Sequence, residues 1–342
     1  MGRHQLPFEK LSVSLSNSHT PMVVFVAGKS IAKPAGVAVG LADASAGRPL
    51  GVDTPLRIAS NTKTFVAATV LRLWEQGRLD LDAPIGSLLS PGLERVLSTH
   101  GYATAAMTIR HLLSHSSGLY DHGDDPRFME SVLADPAHAW TREELVRLSV
   151  AYAPSPGKPG AAFRYSDTGY VLLGDILERV TAQPLAAVVR EALRFDSRGM
   201  TSTWWEIVEP QPSGAEPRAR QFLGEVDVTD INATMDLYGG GGLVSSARDL
   251  ATFTADLFEG RVFERPETLA EMLRKGSHQE AEEYRLGISV TSVAGRECYS
   301  HLGFWGTAAY YSPNTGIALA GFTTARQGRP QLLEIMERAI AQ

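Results

Sequence analysis

The sequence predicts an α/β (α+β) fold in which both ends of the chain build one antiparallel sheet flanked by helices, with a mostly helical segment inserted between them. Two observations carry this. Strand-like apolar segments are confined to the ends: Met22 to Gly28 and Gly36 to Ala42 early in the chain, then Tyr284 to Val293, Glu297 to His301, Thr307 to Ser312 and Ile317 to Thr323. From Asp80 to about Gly276 the pattern changes to helical periodicity broken by Pro/Gly loops. The expected organisation is a sheet domain from residues 1–80 and 277–342, a mostly helical domain from 81–276, and a functional cleft between them.

The first two apolar segments flank a Lys/Ser/Pro turn and read as an antiparallel hairpin. A helix follows through Phe65 to Gln76, stopped by Gly77. Inside the insert, Thr141 to Val150, Val171 to Thr181 and Ala247 to Phe258 are helical, and a last helix starts at about Gln331. A 44% hydrophobic content over 342 residues supports a substantial core. With 38 acidic against 32 basic side chains and no basic run, the formal charge of -6 argues against nucleic acid or an anionic membrane as partner and leaves small molecules. Apolar runs such as Met22 to Ala27 are far short of a membrane span, and residues 1–20 lack the apolar core of a secretory signal, so the expected location is cytoplasmic. The single cysteine, Cys298, excludes an internal disulfide and reads as a small core residue.

The chemistry centres on Ser60-Asn61-Thr62-Lys63 at the start of the first helix, where residues three apart share a face. A serine hydroxyl needs a partner to take its proton, and a lysine does so when desolvation or neighbouring cations lower its pKa. Taken alone, Ser60 reads equally as a helix N-cap. Ser30-Ile31-Ala32-Lys33 and Ser155-Pro156-Gly157-Lys158 have the same spacing but lie in Pro-broken loops. Tyr165, on the polar turn Phe163 to Tyr170, is placed to bring its hydroxyl to Lys63, whose ammonium favours the phenolate; the alternative is a ring packed under the loop. In His301-Leu302-Gly303-Phe304-Trp305-Gly306, glycines would admit a ligand to the backbone and a peptide N–H would pair with that of Ser60 to hold an oxyanion, although a lone strand histidine also reads as structural. His111 and His115, with Asp121, His122, Asp124 and Asp125 beyond, raise a metal site, but there is no H-E-x-x-H. No G-x-S-x-G elbow, P-loop or dinucleotide motif is present.

Together these stretches resemble the serine β-lactamase and penicillin-binding-protein-like superfamily, in its class C-like branch of esterases, D-amino-acid amidases and D-aminopeptidases. The matches are Ser60-x-x-Lys63, Tyr165-Ser166-Asp167 and His301-Leu302-Gly303, supported by Leu112-Leu113-Ser114-His115-Ser116-Ser117-Gly118-Leu119 and the run from Gly239 to Leu250. The resemblance covers about residues 22–325. It implies a β-lactamase/transpeptidase-like fold and a serine hydrolase that forms an acyl-enzyme on small esters, amides or short peptides without cofactor or metal. Ser60, Lys63, Tyr165 and His301 are the implied catalytic residues, Ser60 and Phe304 the oxyanion N–H donors, and Asp167 and Gly303 substrate contacts; Trp305, Tyr238 and Trp204 or Trp205 are candidates for an aromatic pocket that read equally as core residues. An acyltransferase or peptide cyclase, a β-lactamase or D,D-carboxypeptidase, and a non-catalytic binding protein are the alternatives. Where most β-lactamases carry Lys-Thr-Gly or Lys-Ser-Gly, this chain has His301-Leu302-Gly303, which removes a cation suited to a β-lactam carboxylate.

Overall fold

The computed structural model of the protein describes residues 8–341; the first seven residues of the polar N-terminal stretch and Gln342 lie outside the described residues. Six strands form the main sheet: β1 (Met22–Ala27), β2 (Ala35–Val39), β3 (Ser289–Val293), β4 (Arg296–Gly303), β5 (Thr307–Ser312) and β6 (Ile317–Thr323). Their order is β3-β4-β5-β6-β1-β2, and every neighbouring pair is antiparallel. The two ends of the chain meet at β1 and β6, with Met22 opposite Thr323 and Ala27 opposite Ala318.

Side-chain alternation splits β1 between two cores. Val23 and Phe25 join the large core, whereas Met22, Val24 and Val26 join a second one with Leu319, Leu332 and Met336. A strand buried on both faces reads as a continuous apolar run, and Met22 to Ala27 is one. Five helices frame the sheet and the site: α1 (Phe8–Ser16), α2 (Thr62–Glu75), α3 (Asp167–Thr181), α4 (Ala247–Phe258) and α5 (Arg329–Ile340). α4 packs on β1, β5 and β6 from the large-core side, and α1 and α5 cover the opposite face. α2 is buried from Thr62 to Leu73 and stacks Phe65 on Phe253 of α4, ring centroids 3.8 Å apart. Truncating such an aromatic to alanine costs about 3–5 kcal/mol.

Three local expectations change. The segment from Tyr284 is a strand only from Ser289, because Gly287 (φ +84) makes a turn in which Arg285 N–H donates to the Ile288 carbonyl (2.8 Å). Gly40 (φ +81) ends β2 early, and Leu41–Asp43 pairs instead with Arg48–Pro49. Helix α1 lies in a stretch read only as polar, since just Leu11 and Leu15 mark its buried face. Among the described residues no helix is long and apolar enough to cross a membrane.

Candidate active site

Ser60 lies on a 3₁₀ turn (Ala59–Asn61) that runs directly into α2. It is not the N-cap of α2; Asn61 is, without a side-chain capping bond. Ala59, just before it, has φ 46, a left-handed conformation that an L side chain adopts only when its surroundings enforce it. Those surroundings are specific. Thr307 of β5 donates its hydroxyl to the Ile58 carbonyl (3.0 Å), Asn61 Nδ2 donates to Thr307 Oγ1 (2.9 Å), and the Ile58 N–H donates to the Leu243 carbonyl (3.0 Å). A Cβ on Gly303 would clash with the Ile58 carbonyl and Thr307 Oγ1. Gly303 thus lets β4 close on the Ser60 turn, in place of the ligand approach expected from the sequence.

Lys63 is fully buried and donates to Ser60 Oγ (3.0 Å) and to the Gly240 carbonyl (2.7 Å), and it is ion-paired with Asp167. Asp167 opens α3, where the helix dipole also favours a carboxylate. Burial by itself pushes the ammonium toward neutrality, but the Asp167 carboxylate, then Tyr165 and Asp236, outweigh it and hold the Lys63 pKa above the ordinary lysine range. The lowered lysine pKa that desolvation was expected to give is therefore corrected: at rest Lys63 is a cation. Two more carboxylates complete the surroundings: Asp121, raised in the sequence only as a metal candidate, and Asp236, which the sequence did not single out. Asp121 accepts from the N–H groups of Asp167 (2.9 Å) and Gly123 (3.0 Å), and burial, then Asp167, raise its pKa well above the usual range. Asp236 is pushed up to about 7 by burial and then by Asp167. Asp236 precedes the glycine run that supplies the Gly240 carbonyl, and a side chain on Gly241 would clash with its carboxylate.

Tyr165 sits beside the Ser60–Lys63 pair, with Lys63 Nζ 5.1 Å from its ring centroid. Burial raises its pKa, Lys63 lowers it and Asp167 raises it, with a net rise, so the phenol is protonated near neutral pH and is not the phenolate the sequence suggested. His115 braces this tyrosine. Its carbonyl accepts from Arg164 N–H (2.7 Å), its Nδ1 accepts from Ser166 N–H (3.1 Å), and its ring lies 4.1 Å from that of Tyr165. His111 Nδ1 instead accepts from Thr108 N–H (3.2 Å) in a capping box, so the two histidines are fixed by different partners. His301 Nε2 pairs with the Tyr284 hydroxyl (2.9 Å) and not with Tyr165, whose ring is 6.4 Å away. Burial, then Lys63, lower the His301 pKa to about 3, so it is neutral at pH 7.

A cavity of about 50 Å³ opens on Ser60 and is lined by Asp167, Asp236, Phe304 and Trp305, with His122, Phe128 and Met235 among its other walls. Ser60, Phe304, Asp167 and Trp305 thus meet as expected. Tyr238 does not line it: its hydroxyl donates to the Trp140 carbonyl (2.8 Å) and its ring lies against Arg142. Trp204 and Trp205 are core residues, Trp205 packed at Gly242. Ser155 donates to the Gly118 (2.8 Å) and Gly157 carbonyls, and Ser30 to the Thr315 carbonyl, with neither contacting its lysine.

An antiparallel sheet flanked by helices, with a serine on the turn that enters a buried helix and a lysine in that helix's first turn, defines a mixed α/β protein of the β-lactamase and penicillin-binding-protein fold. The sequence profile of the Beta-lactamase family matches residues 18–342, and the chain belongs to that family. It is 39% identical to the Esterase EstB of Burkholderia gladioli over 185 residues, 51% of this chain and 44% of that protein; the chain spans about half the length of the curated relatives it matches. Among solved structures, a D-stereospecific amidohydrolase from Streptomyces sp. is 26% identical with a TM-score of 0.78, covering 95% of this chain and 96% of the other. The D-amino acid amidase of Ochrobactrum anthropi SV3, at 24% identity and TM-score 0.80 over 97% and 96% of the two chains, shares the fold.

Proposed function

We propose that the chain is a serine hydrolase acting through an acyl-enzyme on ester or amide bonds of small molecules, of the carboxylesterase or amidase type, in a cleft between a sheet part (1–80 and 277–342) and a helical part (81–276). The observation that carries this reading is Ser60 Oγ held 3.0 Å from buried Lys63 beside a cavity that Phe304 shares. The esterase and amidohydrolase names among the relatives support it. The strands of the main sheet, all drawn from residues 22–39 and 289–323, support the division.

Because Lys63 starts as an ammonium, it can accept a proton from Ser60 only by passing one on to Asp167, its ion-pair partner. In acylation, Ser60 Oγ bonds to the substrate carbonyl carbon and its proton moves to Lys63 as Lys63 protonates Asp167. The N–H groups of Ser60 and Phe304 hold the oxyanion. The protonated Tyr165 then delivers its proton to the leaving oxygen or nitrogen as that bond breaks, and the proton on Asp167 returns through Lys63 to Tyr165. Water repeats the sequence, with its proton taken up along the same path and Ser60 reprotonated as the acid leaves. His301, neutral and bonded to Tyr284, keeps that wall in place without joining the transfer.

The test is intact-protein mass spectrometry after a fluorophosphonate, followed by peptide mapping, alongside turnover of p-nitrophenyl acetate. One adduct on the Ser60 peptide together with loss of turnover is expected. Turnover that survives complete labelling of Ser60, or an adduct on another residue, overturns the reading.

A further inference from the structure

Behind Tyr284, away from Ser60, lies a second cavity of about 110 Å³, lined by Arg110, Arg274, Arg285, Ser116, Ser277 and His278 among others, and by no carboxylate. Two of its guanidiniums are neutralised from outside the lining: Arg110 by Asp82 and Glu271, and Arg274 by Glu271. Glu282, a further nearby carboxylate, pairs with Lys275 and feels the charge of Arg285 from beyond ion-pair distance. Arg285 is different. It is only 8% exposed, has no carboxylate within ion-pair distance among the described residues, and is held by its Nη1 donating to the Ala281 (2.6 Å) and Glu282 (3.2 Å) carbonyls. Its Nε and Nη2 make no hydrogen bond to protein among the described residues and keep some contact with solvent, and His278 Nε2 on the same wall is buried without a partner. A largely buried guanidinium without an ion-pair partner is costly, and an oxyanion is the ligand that meets its planar, bidentate donor geometry. Burial holds both His111 and His278 below the ordinary histidine range, so at pH 7 the imidazoles offer hydrogen bonds and the arginine supplies the charge.

We propose that this cavity is a binding site for a small oxyanion, a phosphoryl or carboxylate group, taken up by Arg285 with His278 and the Ser116 and Ser277 hydroxyls. The site is independent of the hydrolase reading. It adjoins it, because Tyr284 is a wall of this cavity while its hydroxyl holds His301, and Ser114 and Ser116, both on the lining, flank His115, the brace of Tyr165.

The experiment is isothermal titration of the whole chain with inorganic phosphate, and separately with acetate, at ionic strength held constant with chloride. Wild type is expected to bind one phosphate per chain. Arg285→Gln should weaken that binding about tenfold or more. Ser277→Asp, at an exposed position with no recorded hydrogen bond, brings a carboxylate to the mouth and should abolish binding without touching the core; it decides the matter if Arg285→Gln does not fold. Acetate binding that is lost in the same variants also supports the site and identifies a carboxylate as an accepted group. No binding of either anion by wild type, or binding that Ser277→Asp leaves unchanged, overturns the proposal.

Discussion

On the Ser60 side of Tyr284, the carboxylates of Asp121, Asp167 and Asp236 surround the ammonium of Lys63, whereas on the far side the guanidiniums of Arg110, Arg274 and Arg285 line a cavity with no carboxylate of its own. The difference follows from burial. Lys63 is wholly inside, and a charge there persists only with a partner and saturated hydrogen bonds, which Asp167, Ser60 and the Gly240 carbonyl supply. Its pKa is consequently raised, and the front cavity balances this charge within a closed set of groups. The rear cavity gives Arg285 backbone carbonyls but no ion-pair partner among the described residues.

The largest effect that would break this contrast is at Ser60. Ser60→Ala should reduce ester turnover by about 10⁴-fold or more, with no covalent adduct, while Ser155→Ala behaves as wild type in the same burst assay. A Ser60→Ala protein that keeps turning over would place the chemistry elsewhere.

Next is the proton acceptor. Asp167→Asn removes the group to which Lys63 passes a proton, and kcat for a neutral ester should fall by about 10²-fold. Stopped-flow measurement of acylation checks it, and an unchanged rate would mean that Lys63 works without Asp167.

A smaller effect concerns substrate charge. With His301 neutral and Asp167 and Asp236 on the cavity wall, a carboxylate-bearing substrate meets carboxylates and no cationic side chain among the described lining residues. Nitrocefin should be cleaved at least about tenfold more slowly than p-nitrophenyl acetate, a ratio corresponding to roughly 1.4 kcal/mol; the reverse order would show a carboxylate anchor in this cleft.

Stability should also distinguish the sides. The Asp236 pKa is raised in the fold to about 7 from 3.8, so its contribution is full below the unfolded value and is lost as pH rises through the folded one. Asp236→Asn removes that loss, and its melting temperature relative to wild type should increase from pH 5 to pH 8, by about 2 °C or more. A difference that stays flat across that range would show that Asp236 is ionised throughout. The smallest expected effect is from a chelator, which should leave turnover unchanged, because His111 and His115 are engaged by Thr108 and Ser166 respectively; activity lost to the chelator and restored by zinc would contradict this.

Much of the fold was legible. The closing strands Thr307 to Ser312 and Ile317 to Thr323 and the helix Ala247 to Phe258 match their sequence limits, because each is a buried run bounded by turn or capping residues, as Ser246 caps α4. Helix α3 starts earlier than its apolar periodicity, at Asp167, because Ser166 supplies the cap and the first turn is polar. The meeting of Ser60 and Lys63 was legible for a local reason: a helical start fixes residues three apart on one face. The packing of Tyr238 and Gly303 was not legible, because glycine and tyrosine serve packing and binding with the same residue types, and only the fold brings the Trp140 and Ile58 carbonyls beside them.

The sequence by itself determined the sheet from two chain ends, the helical middle and the serine–lysine pair, all of which rest on periodicity, caps and short spacing. The charge state of that pair belonged to the tertiary structure alone. Asp121, Asp167 and Asp236 reach Lys63 from positions 58, 104 and 173 residues away in the chain, as Arg285 reaches its cavity across from Arg110. A pKa depends on burial and on the distance to every nearby charge. Neither exists until the chain has folded, and so no local pattern could show that the buried lysine would be a cation or that an arginine behind it would lack a counter-charge.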